Sequence, residues 1–131
     1  MRVAFVCVQN AGRSQMSAAF AEREIDDRGL DVEVVTGGTD PAEEIHPAVV
    51  ETMQEVGIDL SGRRPRQIST AELNTCDVVA TMGCSTLDLN ADVEVRDWAL
   101  PDPDGESPGR VREIREAVRE RVRDLLDEFV G

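Results

Sequence analysis

Apolar and polar residues along this 131-residue chain fall into blocks that alternate between two periods. Arg2–Val8 carries an unbroken apolar run, Val3, Ala4, Phe5 and Val6, which predicts a strand buried on both faces and central in a parallel sheet. From Ser14 to Arg28 the period lengthens. Met16, Ala19, Phe20 and Ile25 share one face of a predicted helix, with Gly29 as its stop. Val32–Thr36 reads as a second strand closed by Gly37 and Gly38, followed by a polar loop, Thr39–Ile45. Pro47 suits the first position of a helix running to Val56, with Val49, Val50, Met53 and Val56 inward and Gly57 at its end. Ser61–Gln67 reads as a surface loop, Ser69–Asn74 as a short helix, Asp77–Met82 as a third buried strand and Val93–Val95 as a short fourth. The proline-rich stretch Trp98–Gly109 predicts an irregular loop. A long amphipathic helix, Arg110–Val130, closes the chain, with Val111, Ile114, Val118, Val122, Leu125 and Phe129 at steps of three and four.

Strands alternating with helices predict an α/β fold: a three-layer sandwich with a four-stranded parallel sheet flanked by helices. No repeat or linker interrupts it, so residues 1–131 are expected to form one domain. Ligands of such sheets bind at the carboxyl ends of the strands. Cys7 and Cys84 both end strands, whereas Cys76 begins one. Cys84 lies eight positions after Cys76, roughly 25 Å if extended, so Cys84 can share an edge with Cys7 and Cys76 cannot.

Charge narrows the partners. Twenty-seven acidic residues face fourteen basic ones, all arginine, for a net charge of −13, which argues against nucleic acid or an anionic membrane. Periodic apolar blocks making up 40% of the chain argue against a disordered acidic chain. A hydrated acidic surface suited to a salty cytoplasm, a halophilic protein, is the better reading. At molar salt the Debye length is about 3 Å, so repulsion of an anionic substrate is screened beyond the first contact layer. No apolar run reaches membrane-spanning length and the N-terminal residues lack a signal-peptide layout, so a cytoplasmic location is expected. Three cysteines in that setting suit redox or catalytic work, and with His46 the only histidine a metal site is not expected.

The stretch from Cys7 to Ser14 carries the candidate chemistry. Five residues between Cys7 and Arg13, placed between a strand and a helix, can wrap their N–H groups around a tetrahedral anion at the helix N-terminus. Val8, Gln9, Asn10, Ala11, Gly12 and Arg13 are the expected oxyanion contacts, and Arg13 can offer a two-pronged fork. That positive surround favours a Cys7 thiolate, and hence a nucleophile. Ser14 can hydrogen-bond the thiolate, Asn10 can hold the loop with its amide, and Gly12 permits close backbone approach. A buried structural cysteine beside a helix-start arginine is the alternative.

Taken together, these residues resemble the low-molecular-weight protein tyrosine phosphatase fold family, and within it the arsenate reductase branch. Cys7–Ser14 fits the phosphatase loop, C-x5-R-S, after the first strand. Asn10, Ser14-Gln15-Met16, Thr36–Pro41, Ile45–Ser61, Thr81–Cys84 and Asp97–Pro103 match the reductase form. The resemblance implies that the Cys7 thiolate attacks arsenate, that Asp102 protonates the leaving oxygen, and that Cys84 or an external thiol resolves the adduct to release arsenite. The alternative is a phosphatase hydrolysing phosphotyrosine or small phosphate esters through a phosphocysteine. The chain contains no tyrosine, and Asp104-Gly105-Glu106 follow Asp102-Pro103 where the phosphatases place aromatic residues, which favours a small inorganic oxyanion. Members coupled to thioredoxin carry a third cysteine shortly after the resolving one; Leu87–Ala91 has none, so a three-thiol relay cannot run. The expected reductant is a thioredoxin- or glutaredoxin-like protein or a low-molecular-weight thiol, with no bound organic cofactor. The resemblance also implies a potassium site near Asn10 and Thr36. His46 is read as a loop or capping residue, Cys76 as a packing residue, and Arg63, Arg64 and Arg66 as a solvated face. From the charge it follows that the folded chain tolerates molar KCl. Thermal melts in dilute buffer and in 2 M KCl check this, and a fold that survives only dilute buffer contradicts it.

Overall fold

The computed structural model describes residues 1–83 and 89–130. The elements run β1 (Arg2–Cys7), α1 (Arg13–Arg28), β2 (Glu33–Gly38), α2 (Pro47–Gln54), α3 (Thr70–Leu73), β3 (Val78–Met82), β4 (Glu94–Asp97) and α4 (Pro108–Val130). The sheet order is β2-β1-β3-β4, and every pairing is parallel. The apolar run of β1 places it between two neighbours, as its two-sided burial requires. Strand alternation sends Val3, Phe5 and Cys7 to one face and Ala4 and Val6 to the other.

The two faces differ in thickness. On the Cys7 side, α1, α2 and α4 bury Met16, Phe20, Val49, Met53, Ile114, Val118, Val122 and Leu125 against the sheet. The other face is covered by Ile68, Leu73, Cys76 and Val93, with four-residue α3 as its only helix among the described residues. The predicted three layers are therefore present, one of them thin.

Glycines explain the boundary difference in β2. The pair Gly37-Gly38 does not close β2 but continues it, pairing with Val6 and Cys7 of β1. A Cβ at Gly38 would lie 2.5 Å from the Val8 carbonyl oxygen, and one at Gly37 would lie 2.5 Å from the Cβ of Ile68. These residues let neighbouring chain lie flat on the strand. At the far end of α1, Gly29 (φ 66°) ends the helix in the left-handed conformation, as read from sequence. The last helix starts earlier than its apolar steps suggest, because Pro108 occupies its first turn and the Ser107 hydroxyl accepts the Arg110 N–H at 3.3 Å. Leu126 joins its buried stripe, while Phe129 is only half-buried.

Exposed ion pairs tie α4 to its neighbours. The Glu55 carboxylate, just past α2, receives Arg112 at 2.9 Å and Arg115 at 2.8 Å. Hydrogen bonds from Arg112, then Arg115, hold its carboxyl at about 2 against an ordinary 4.5. A carboxyl depressed in the fold stabilises it above its unfolded value, and that stabilisation is lost as pH falls through the folded value. The stability deficit of Glu55→Gln should thus be full at pH 7 and fade between about pH 4.5 and 2. Urea melts at fixed ionic strength check this, and a deficit independent of pH would contradict it.

Candidate active site

Pairing puts Cys7, Gly38 and Met82 side by side at the carboxyl edge of the sheet. Beyond Cys7 the chain reverses into α1, and its carbonyls turn outward. Those of Cys7, Val8, Gln9 and Ala11 accept backbone N–H groups from Thr39 (3.3 Å), Asp40 (2.8 Å), Ala42 (3.0 Å) and His46 (3.0 Å). In a trans peptide the N–H opposes the carbonyl, so the N–H groups of Val8, Gln9, Asn10 and Gly12 point inward. The Asn10 N–H reaches the Cys7 Sγ at 3.2 Å, and the Ser14 Oγ lies 2.8 Å from the same sulfur. Such a ring of converging N–H groups at a helix start binds anions.

Above the sulfur opens a cleft of about 230 Å³ lined by the loop residues, Arg13, His46, Gly83 and Asp102. Arg13 is anchored at one side, where its Nη1 donates to the Leu100 carbonyl at 2.8 Å and its Nη2 lies 3.9 Å from Asp102 Oδ2. That carboxylate is more than half exposed and accepts the Asp104 N–H at 3.0 Å through its other oxygen, so it sits at the rim on its own short turn. Gly83 (φ +76°) lies under the guanidinium: a Cβ there would meet Arg13 Nη1 at 2.8 Å. At Gly12 the surround is as tight, with Pro103 Cγ 3.0 Å and His46 Cδ2 3.5 Å from where a Cβ would be.

The predicted residues separate into two groups. Cys7, Val8, Gln9, Ala11, Gly12, Arg13 and Asp102 line the cleft together. Asn10 and Ser14 lie beneath it, wholly buried, so the side chain of Asn10 organises the loop and does not face the cleft. Cys84 lies outside the described residues. Cys76 is buried at the amino end of β3, and burial pushes its thiol up from the ordinary range, as suits packing. Arg63 and Arg66 are engaged by Glu22 and Glu72.

The residues expected to hold potassium do not fit a cation. Asn10 Oδ1 already accepts Gln15 Nε2 at 3.0 Å and the Arg66 N–H at 3.1 Å. The Thr36 hydroxyl donates to the Phe5 carbonyl at 2.8 Å while Asn10 Nδ2 faces it at 2.9 Å. Both lone pairs of the Asn10 oxygen are thus occupied by N–H donors.

Two cleft residues were not read from the sequence. His46 precedes α2 without capping it through its side chain, and its ring reaches the cleft. The signal was its place just before a helix, since helix starts return to the carboxyl edge of a parallel sheet. Gly83 carried the weaker signal of a glycine directly after a strand.

With this geometry in hand, the family is decided by a match over residues 2–130 to the model described as low molecular weight phosphotyrosine protein phosphatase. This chain belongs to that family. A Halobacterium salinarum protein named for arsenate reduction is 64% identical over 128 residues, covering 95% of this chain and 90% of that one. The Corynebacterium glutamicum thioredoxin-dependent arsenate reductase superposes with a TM-score of 0.82 at 35% identity over 97% of this chain, which spans 60% of that longer one. An arsenate reductase in the phosphate-binding state gives 0.80 at 31% identity, with 97% of both chains covered. A family member with Arg13 on a glycine floor should not tolerate a side chain there. Gly83→Ala should weaken competitive binding of phosphate about tenfold, because the displaced guanidinium loses a charge-assisted hydrogen bond, and should cost about 1–2 kcal/mol of stability from its left-handed backbone. Phosphate titration and thermal melts measure the two, and unchanged phosphate affinity would contradict the floor.

Proposed function

We propose that this protein is a thiol-dependent arsenate reductase of the cytoplasm. The observation that carries the reading is the Cys7 sulfur at the base of the cleft, with Ser14 Oγ at 2.8 Å, the Asn10 N–H at 3.2 Å and Arg13 beside it. Thiolate, anion cradle and guanidinium are the parts needed to bring a sulfur nucleophile against a tetrahedral oxyanion. The cleft is lined by no phenyl or indole ring among the described residues, and the chain has no tyrosine, so an aryl ester would find no flat partner. The names carried by the relatives favour the same substrate.

In the proposed reaction the Cys7 thiolate attacks arsenic and forms a sulfur–arsenic bond while the bond from arsenic to one arsenate hydroxyl breaks. Asp102, at the cleft rim near Arg13, supplies the proton that lets it leave as water. A second thiolate, from Cys84 or a small external thiol, then attacks the Cys7 sulfur. The electron pair of the sulfur–arsenic bond passes to arsenic, arsenite departs, and the two sulfurs remain as a disulfide. A redoxin or another thiol reduces it. Supporting the redoxin is the thioredoxin-dependent Corynebacterium relative. None of the helices among the described residues is long and apolar enough to cross a membrane.

Cys7→Ser should abolish arsenate turnover with every reductant. Cys84→Ser should lose at least tenfold with a redoxin as sole reductant and keep more of its activity with a small thiol. Both variants are assayed for arsenite release and for p-nitrophenyl phosphate hydrolysis. Full turnover by Cys84→Ser with every reductant would remove the resolving role, and brisk ester hydrolysis without arsenite would favour the phosphatase reading.

A further inference from the structure

Four residues decide which way protons point beneath the nucleophile. The Arg66 backbone N–H can only donate, and it donates to Asn10 Oδ1 at 3.1 Å. That settles the orientation of the Asn10 amide, whose Nδ2 must then face the hydroxyls of Ser14 (2.7 Å) and Thr36 (2.9 Å) as a donor. Having accepted from Asn10, the Ser14 hydroxyl has one proton to give, and the Cys7 sulfur lies 2.8 Å from its oxygen. A thiolate has no proton to give, so with a thiolate at Cys7 the polarity runs from segment 64–66 through Asn10 and Ser14 to the sulfur.

Gln15 reinforces this order at a cost to itself. Its Nε2 donates to Asn10 Oδ1 at 3.0 Å and to the Arg64 carbonyl at 3.4 Å, while its own buried Oε1 has no hydrogen-bond partner. Turning the amide over would set that oxygen against two other acceptors, so the orphan oxygen is the less costly arrangement. Segment 64–68 is itself pinned to the sheet, with the Gly38 N–H on the Arg66 carbonyl at 2.9 Å and the Ile68 N–H on the Gly38 carbonyl at 3.1 Å.

We propose that Gln15 is a positioning residue that locks the Asn10 amide so that Ser14 donates its proton to the Cys7 thiolate. It touches no substrate and acts through two intermediaries. The inference rests on Cys7 being the nucleophile of the proposed reaction, and alkylation of Cys7 tests that independently of any oxyanion.

The test measures the rate at which iodoacetamide modifies Cys7 at pH 8, located by peptide mapping, in the full chain and five variants. Gln15→Glu presents a carboxylate where Asn10 needs a donor, and should slow modification about tenfold; Gln15→Met leaves the Arg66 N–H in place and should slow it about threefold. On a Ser14→Ala background neither substitution should slow it further, because the hydroxyl that carries the effect is gone. Should Gln15→Glu fail to fold, the Gln15→Met and Ser14→Ala pair decides alone. Losses that multiply on the Ser14→Ala background, or no loss in Ser14-containing protein, would overturn the assignment.

Discussion

The site depends on one strained reversal. Between β1 and α1 the chain must turn within five residues and still aim its N–H groups at a single point. It does so with Asn10 at φ 53°, the only left-handed residue other than glycine among the described residues. A side chain in that region costs about 1–2 kcal/mol unless local hydrogen bonds offset it. Here every polar atom of the Asn10 side chain is partnered, to Ser14, Thr36, Gln15 and Arg66. The strain is held by a buried network drawn from β2, α1 and segment 64–66, and this is why the cradle exists before any anion arrives.

Around that cradle the protein is strongly acidic, which sharpens the role of local geometry. A net charge of −13 opposes an anion at long range. Among the described residues that line the cleft only Arg13 offers a fixed positive charge, and Leu100 and Asp102 restrain it from one side while Gly83 leaves it room below. Many of the other arginines are already engaged: Arg112 and Arg115 with Glu55, Arg96 with Glu94 and Glu128, Arg28 with Glu24 and Asp127. In the proposed function, selectivity for a small tetrahedral anion rests on the inward N–H groups and the Arg13 guanidinium.

Most of this was legible where physical chemistry leaves few options. An apolar run ending in cysteine, five residues, then Arg-Ser and a 3.6-period stretch read as a strand, a tight loop and a helix, and the structure has that order. The α4 stripe was read for the same reason. What escaped depended on contacts distant in sequence. Gly37-Gly38 looked like a terminator because local propensity cannot see the Val8 carbonyl and Ile68 lying against the strand. The same blindness hid His46, brought to the cleft by backbone pairing with Ala11, and the role of Gln15, whose side chain donates to the Arg64 carbonyl 49 residues away. The potassium site goes unsupported for a related reason: the Asn10 oxygen expected to bind it already accepts N–H groups from Gln15 and Arg66.

The central claim, that Cys7 forms a bond to arsenic and emerges oxidised, is tested most directly by a single turnover. Reduced protein is mixed with excess arsenate and a small thiol, quenched in acid, and analysed for arsenite and for the redox state of each cysteine peptide. The account predicts one arsenite for each Cys7 recovered as a disulfide, joined to Cys84 or to the small thiol. Arsenite released while Cys7 remains a free thiol would contradict it.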